Sequence, residues 1–510
     1  MRSFLVLALV GTLGFLVGCG GNGTPVGVPI TISLSPNSAS VNANGVVNIV
    51  ATVSNDSSGK GVSWSLSGVG ALSAQTSTSV TYTAPATVTG TSVATVVATS
   101  GASASVTASL SITVSPAGSV TNVVPISVNG GPLVSANPPS IYDNGAFVSV
   151  QVCVPGTSTC QIIDDVLLDT GSVGLRLLAS QVTIPLVPLT DSSGNTLNDC
   201  IQFLDSSFLW GTVAPANIVL GGETATSTSI QLIATPSFTI PSGCSGTNED
   251  TQARLGANGI LGVGTEPFDC GTACDPSVGG TAPAVYYLCS SGGSCNTSFV
   301  SCGTLCQDPN PNQQVTNPVF NFSVDNNGVI VELPAVNDVA ATVAGSLIFG
   351  IGTQSNNTIP STATVLNLDS TDSFTTNFGG EALTASFIDS GSNGLFFPQI
   401  NGSPNICADT NFWYCPASTL PLSATNVGAS GSPSNTVNFS VDNFDTVTTA
   451  NPTDAAFSNL AGPRAIGTCG SSNPMACTFD WGLPFFYGRT VFTAINGTTT
   501  PNGNGPFFAY

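Results

Sequence analysis

The chain has 510 residues, with 6 Lys+Arg, 27 Asp+Glu, no histidine and a formal net charge of -21. Charged residues make up 6%, against about 25% in ordinary soluble domains. The absence of histidine excludes Ser-His-Asp and Cys-His nucleophile systems, HExxH zinc sites and imidazole proton shuttles. Six cations cannot line a phosphate-tracking groove, so no nucleic-acid partner is expected. Hydrophobic residues reach 41%, enough to fill real cores, so low charge does not read as disorder. The length calls for more than one domain. Chemistry must come from carboxylates, hydroxyls, thiols or backbone groups, and no metal or other cofactor is expected.

The first elements set the compartment. In residues 1–18 Arg2 precedes an apolar run from Phe4 to Val17, the form of a secretory signal peptide. Leu16-Val17-Gly18-Cys19 resembles the lipobox of bacterial lipoproteins. That resemblance implies acylation of Cys19, with 19–26 as a flexible tether. It also implies an extracytoplasmic, lipid-anchored protein at the outer membrane or cell surface, because Gly20 and not Asp follows the cysteine. An uncleaved membrane helix and a cut elsewhere are the alternatives. No later segment offers 18 continuous apolar residues. Of 15 cysteines, setting Cys19 aside leaves an even number for pairing in an exported chain, with connectivity open. Zinc is the competing reading for Cys270 with Cys274 and Cys302 with Cys306, and export without histidine argues against it.

Residues 27–117 contain short alternating runs separated by turn residues, such as Val46 to Val53 and Val62-Ser63-Trp64-Ser65-Leu66. Strands at this spacing predict a β-sandwich. The segment resembles bacterial immunoglobulin-like surface domains, with Trp64 as a core residue and the module as a spacer. Pro116-Ala117-Gly118-Ser119 reads as a linker. Residues 120–510 remain β-rich without βαβ alternation, and 265–315 reads as a Cys-, Gly- and Pro-rich insertion. The expected class is all-β.

The chemically informative feature is an echo. Val166-Leu167-Leu168-Asp169-Thr170-Gly171-Ser172-Val173-Gly174-Leu175 recurs 220 positions later as Ser386-Phe387-Ile388-Asp389-Ser390-Gly391-Ser392-Asn393-Gly394-Leu395. One copy is an ordinary β-turn sequence. Two copies with matched apolar flanks are harder to dismiss.

The paired turns resemble those of pepsin-like aspartic proteases, in which each of two lobes supplies one D-[TS]-G-[TS] turn to a shared cleft. Asn258 to Gly264, Gly345 to Gly350 and Trp481 to Phe492 resemble further strands of that family, in the family's order. The resemblance implies an N-lobe over 120–355 and a C-lobe over 356–510. It implies that Asp169 and Asp389 share a proton and activate a water for peptide-bond hydrolysis at acidic pH. Thr170 and Ser390 would lock the loops together, and Ser172 and Ser392 would orient the carboxylates. Gly171 and Gly391 would allow close backbone approach. Protein or peptide would be the substrate of a monomer held to the membrane by its lipid.

Three departures stand out. The second turn is Asp-Ser-Gly, with a shorter hydroxyl residue. Asp480-Trp481-Gly482 puts a carboxylate where the family has an apolar residue. The 202–211 hairpin region carries no tyrosine, leaving Phe203 or Trp210 to cover the cleft. A non-catalytic cleft binding peptide or glycan, and a structural or adhesive surface protein, therefore stay open as alternatives.

Overall fold

The structure is a computed structural model that describes residues 29–510 other than 37, 89–91, 116–121, 137–139, 236–237, 272–285, 296–312, 409–411 and 465–476. The expected signal segment, tether and Cys19, the linker at 116–119 and much of the 265–315 stretch lie outside the described residues.

The chain is all-β. Residues 31–115 form two four-stranded sheets. One runs in the order Thr31–Ser35, Val46–Ser54, Ser79–Thr83, Ala71–Ser73. The other runs Ser38–Asn42, Thr107–Ser115, Ser92–Ser100, Val62–Gly68. Alternate residues of Val46–Ser54 turn inward, burying Val47, Ile49 and Ala51, as a strand with one solvated face requires. They meet Tyr82, Val96 and Ile112 in one core. Trp64 is half-buried against that core and donates its indole N–H to the Thr76 carbonyl at 3.0 Å.

Beyond residue 122 the described strands form a fifteen-stranded and a seven-stranded sheet, with short two-stranded pieces. Each large sheet contains the same three-strand unit. In the first, Cys160–Asp169 runs into the turn and Val173–Leu178 runs out of it. Gly259–Val263 lies between these two arms, parallel to the first and antiparallel to the second. In the second, Asp480–Trp481 lies in the same way between Glu381–Ile388 and Leu395–Phe397. Leu261 faces Leu168 and Leu175 across the ladders, and Trp481, 220 positions later, faces Ile388 and Leu395.

The two sheets are not separated in the chain. Val365–Asn367, Arg489–Ala494 and Phe507–Ala509 all fall beyond the expected boundary at 355/356, yet they pair into the larger sheet. Hydrogen-bond register and not chain position decides sheet membership. Among the described residues helix is confined to short pieces such as Phe444–Ala450, whose first turn is capped by the Asn443 side chain accepting from the Thr446 N–H. Among the described residues no helix is long and apolar enough to cross a membrane.

Disulfides join Cys153 to Cys160, Cys200 to Cys244, Cys289 to Cys295 and Cys407 to Cys415. Cys270 and Cys477 are also disulfide-bonded. Before the first turn, Asp164 accepts from the Ser35 and Ser149 hydroxyls, at 2.8 and 2.7 Å.

Candidate active site

The two turns meet head to head. The Thr170 N–H donates to the Ser390 hydroxyl at 3.1 Å, and the Ser390 N–H donates to the Thr170 hydroxyl at 2.9 Å. Each hydroxyl in turn donates across to the strand carrying the other turn, Thr170 to the Ile388 carbonyl at 3.3 Å and Ser390 to the Leu168 carbonyl at 2.8 Å. Thr170 and Ser390 are both buried, so these four bonds act where an unmade one is expensive. Serine in place of threonine in the second turn preserves the whole pattern, because only the hydroxyl takes part.

This lock brings the carboxyls together. Asp169 is 6% exposed and hydrogen-bonds to Asp389 through the side chains. Each aspartate also accepts from the glycine N–H two residues on, at 2.8 Å for Gly171 and 2.7 Å for Gly391. The Ser172 hydroxyl donates to Asp169, and the Ser392 hydroxyl lies 2.9 Å from Asp389 Oδ2. The glycines are required by the approach itself. A Cβ on Gly171 would stand 2.5 Å from Asp389 Cγ, and one on Gly391 would stand 2.7 Å from Asp169 Cγ. Burial, reinforced by the negative charge of Asp389, holds the Asp169 carboxyl well above the ordinary carboxylate range.

A third carboxyl belongs to the same cluster. Asp480, 2% exposed, reaches the Ser392 hydroxyl at 2.7 Å through Oδ2. Among the described residues its Oδ1 has no hydrogen-bond partner. Burial and the charge of Asp389 raise it well above the ordinary range, opposed by Arg464.

The residues expected over the cleft sit differently. Trp210 is 3% exposed and packs edge-on against Tyr287 at 5.6 Å, beside Cys200 and Cys244. It stands opposite Cys200 in the ladder, and the indole belongs to a buried core with Cys200, Cys244 and Tyr287. Phe203 is half-buried near the tip of its hairpin and packs against the cluster that includes Tyr142.

Tyr142 and Asn144 are the residues that sequence reasoning missed. The Tyr142 phenol is held protonated, above its ordinary range, by burial and then by the charges of Asp169 and Asp389. It lines a pocket with Gly130, Arg254, Asn393, Trp413 and Phe444, which borders the second turn through Asn393. Asn144, fully buried, donates to the Asn393 carbonyl of that turn at 3.0 Å and to the Phe457 carbonyl at 2.9 Å. Its own side-chain oxygen accepts from the Phe457 N–H and the Tyr487 hydroxyl. The only local signal for Asn144 is its left-handed backbone, φ 54°, within Asp143-Asn144-Gly145.

Residues 118–510 match the model of a family described as protein of unknown function, DUF3443. No curated protein matches the chain. Among solved structures, the adhesin InvE of Yersinia pseudotuberculosis aligns at 12% identity and TM-score 0.13, covering 40% of this chain and 58% of its own. A DUF4784 family protein from Bacteroides caccae aligns at 7% identity and TM-score 0.13, covering 42% and 59%. The chain thus spans under two thirds of the length of either, and likeness at this level carries no argument about function.

Proposed function

The chain belongs to the DUF3443 family, and we propose that its matched region is a pepsin-like aspartic endopeptidase working in acid outside the cytoplasm. The observation that carries this reading is the hydrogen-bonded pair Asp169 and Asp389 at the centre of a reciprocal hydroxyl lock. Two carboxyls in such contact share one proton, because ionising both beside each other is costly. The ionised partner takes a proton from a bound water while the protonated partner hydrogen-bonds the scissile carbonyl. The pair titrates as a unit. Tyr142 supports the reading through a pocket that it lines together with Asn393 of the second turn, and its phenol feels the charges of both aspartates. Cys19 as a lipid attachment point, and disulfides throughout the matched region, support an exported and membrane-anchored protein.

The test is cleavage of unfolded protein from pH 2 to 7 by the wild type, Asp169→Asn and Asp389→Asn. Cleavage confined to the wild type and to acid supports the proposal. A wild type that cleaves nothing the variants fail to cleave overturns it, and leaves a peptide- or glycan-binding cleft as the reading to pursue. Metabolic labelling with a fatty acid, lost in Cys19→Ser, tests the anchor.

A further inference from the structure

One serine hydroxyl stands between two carboxylates. Ser392 Oγ is 2.9 Å from Asp389 Oδ2 and 2.7 Å from Asp480 Oδ2. A hydroxyl has a single proton to donate, so the two contacts cannot both be serine donations. Four contacts in a row join Ser172, Asp169, Asp389, Ser392 and Asp480. Each contact needs one proton. The two serines bring two, and the carboxyls must hold the others. One lies between Asp169 and Asp389, and the other lies on one of the two carboxyls that meet Ser392.

We propose that Asp480 is a positioning residue, a neutral acid that donates to Ser392 and so turns the serine's proton onto Asp389. When Asp480 ionises it becomes an acceptor, draws that proton to itself and leaves Asp389 Oδ2 without its donor. The device thus disconnects the second aspartate as pH rises. It exists in one half of the site only, since the position matching Asp480 beside the first turn is Ile260. The charged and titratable groups facing Asp480 are Asp389 and Asp169 from the turns and Arg464 from beyond Ala461–Pro463. The aspartates favour the neutral acid and the guanidinium opposes it. The strands flanking Asp480 present Phe387 and Phe396 in register with it, which do not titrate.

The relay rests on the two-aspartate reading above, and its test separates the two. Asp480→Asn keeps a donor for Ser392 at every pH. Relative to the variant's own acid-side plateau, the alkaline limb of the kcat profile should move up by about one pH unit. In a Ser392→Ala background the same substitution should move the limb by less than half as much. An unchanged profile overturns the proposal, and so does an equal shift in the Ser392→Ala background, which would mean that the Asp480 charge acts through space. Asp480→Ile, copying the first half of the site, gives the same comparison if the asparagine variant fails to fold. A readout free of activity is the carboxylic-acid infrared band at pH 6. Loss of one carboxyl's intensity in Asp480→Asn supports the neutral acid even in a protein that cleaves nothing, and an unchanged band overturns it.

Discussion

Behind the first turn stand aliphatic side chains, Leu168, Leu175, Leu261 and Val263, all fully buried. Behind the second stand aromatic rings. Phe479 stacks on Trp481 at 4.1 Å and on Phe397 at 4.9 Å, with Phe378 and Phe439 edge-on around them. The Trp481 indole N–H even reaches Thr376 and Asn426 side chains, at 3.2 and 3.1 Å. Yet the reciprocal hydroxyl bonds, the glycine N–H to aspartate bonds and the serine to aspartate contacts recur in both turns. Turn geometry is thus set by the three-strand ladder, the hydroxyls and the glycines, while the core behind needs only volume and apolar surface.

The halves also differ in how they bury charge. In the first, Arg176 is fully buried and paired with Asp199 and Asp269, and it donates to Gln231 at 2.8 Å. The Tyr286 hydroxyl completes the network on Asp269 at 2.6 Å. The matching residue in the second half is Phe396, which packs on Trp413 at 5.5 Å. There the buried carboxyl sits one strand over, at Asp480, where burial and Asp389 raise its pKa and Arg464 opposes the rise. The first half neutralises its carboxylates with a bonded cation, whereas the second keeps a buried carboxyl beside the paired aspartates.

The comparison breaks most sharply at the aspartates. If the halves act as one site, Asp169→Asn and Asp389→Asn should each lower kcat on unfolded protein by about 10^3-fold, the size of a lost general acid-base partner. A variant retaining wild-type turnover would show that its half is dispensable. The buried ion pairs come next. Arg176→Leu strands Asp199 and Asp269 without a cation and should lose about 3–5 kcal/mol in urea unfolding. Phe396→Leu, at the matching position, should lose only about 1 kcal/mol. Equal losses would mean that the Arg176 network carries no special weight.

Smaller effects sharpen the symmetry. Gly171→Ala and Gly391→Ala each drive a methyl into the opposite carboxyl, and a displacement of that kind should lower kcat by about 10^2-fold. The two values should agree within a few-fold, because the close approaches are reciprocal. Ser390→Ala removes an acceptor from the Thr170 N–H and a donor from the Leu168 carbonyl. It should destabilise by about 1–3 kcal/mol, as should Thr170→Val, and the double variant should lose less than the sum.

The gentlest effect is pH-dependent. Burial pushes Glu223, Glu249 and Asp372 up to about 7, above their unfolded values near 4. Between about pH 4 and 7 the folded chain therefore holds more protons than the unfolded chain, and stability falls as pH rises through that window. The melting temperature should be higher at pH 4 than at pH 7, and Glu223→Gln with Glu249→Gln should flatten the difference. Acid does little harm at the other end, because only Lys60, Arg176, Arg254, Arg464 and Arg489 follow the signal-like segment, so cation repulsion stays small.

Much of the architecture was legible because it is written locally. The alternation in Val46–Ser54 has a two-residue period, and the Asp-hydroxyl-Gly-Ser turns advertise their own geometry. The departure at Asp480 was visible as a residue type out of place, though not its contact with Ser392. The direction of Trp210 was not legible because Ser207–Leu220 is buried along nearly its whole first half. With both faces covered, alternation vanishes, and only the ladder to Cys200 and the disulfide to Cys244 tell where the indole points. Tyr142 and Asn144 gave no pattern at all, since a loop residue carries no period.

The sequence by itself determined the all-β class, the doubled turn and its constant spacing, and the shortage of cations. These follow from composition and from contacts a few residues long. Only the tertiary structure decided which strand lies between the arms of each turn and that late strands return to the larger sheet. Only it could bring Tyr142 into one pocket with Asn393 of the second turn and seat Asp480 on the serine of that turn. Those contacts span large separations, 88 residues for Ser392 with Asp480 and 313 for Asn144 with Phe457. At such distances the partner is chosen by how sheets pack and not by any signal the chain carries nearby.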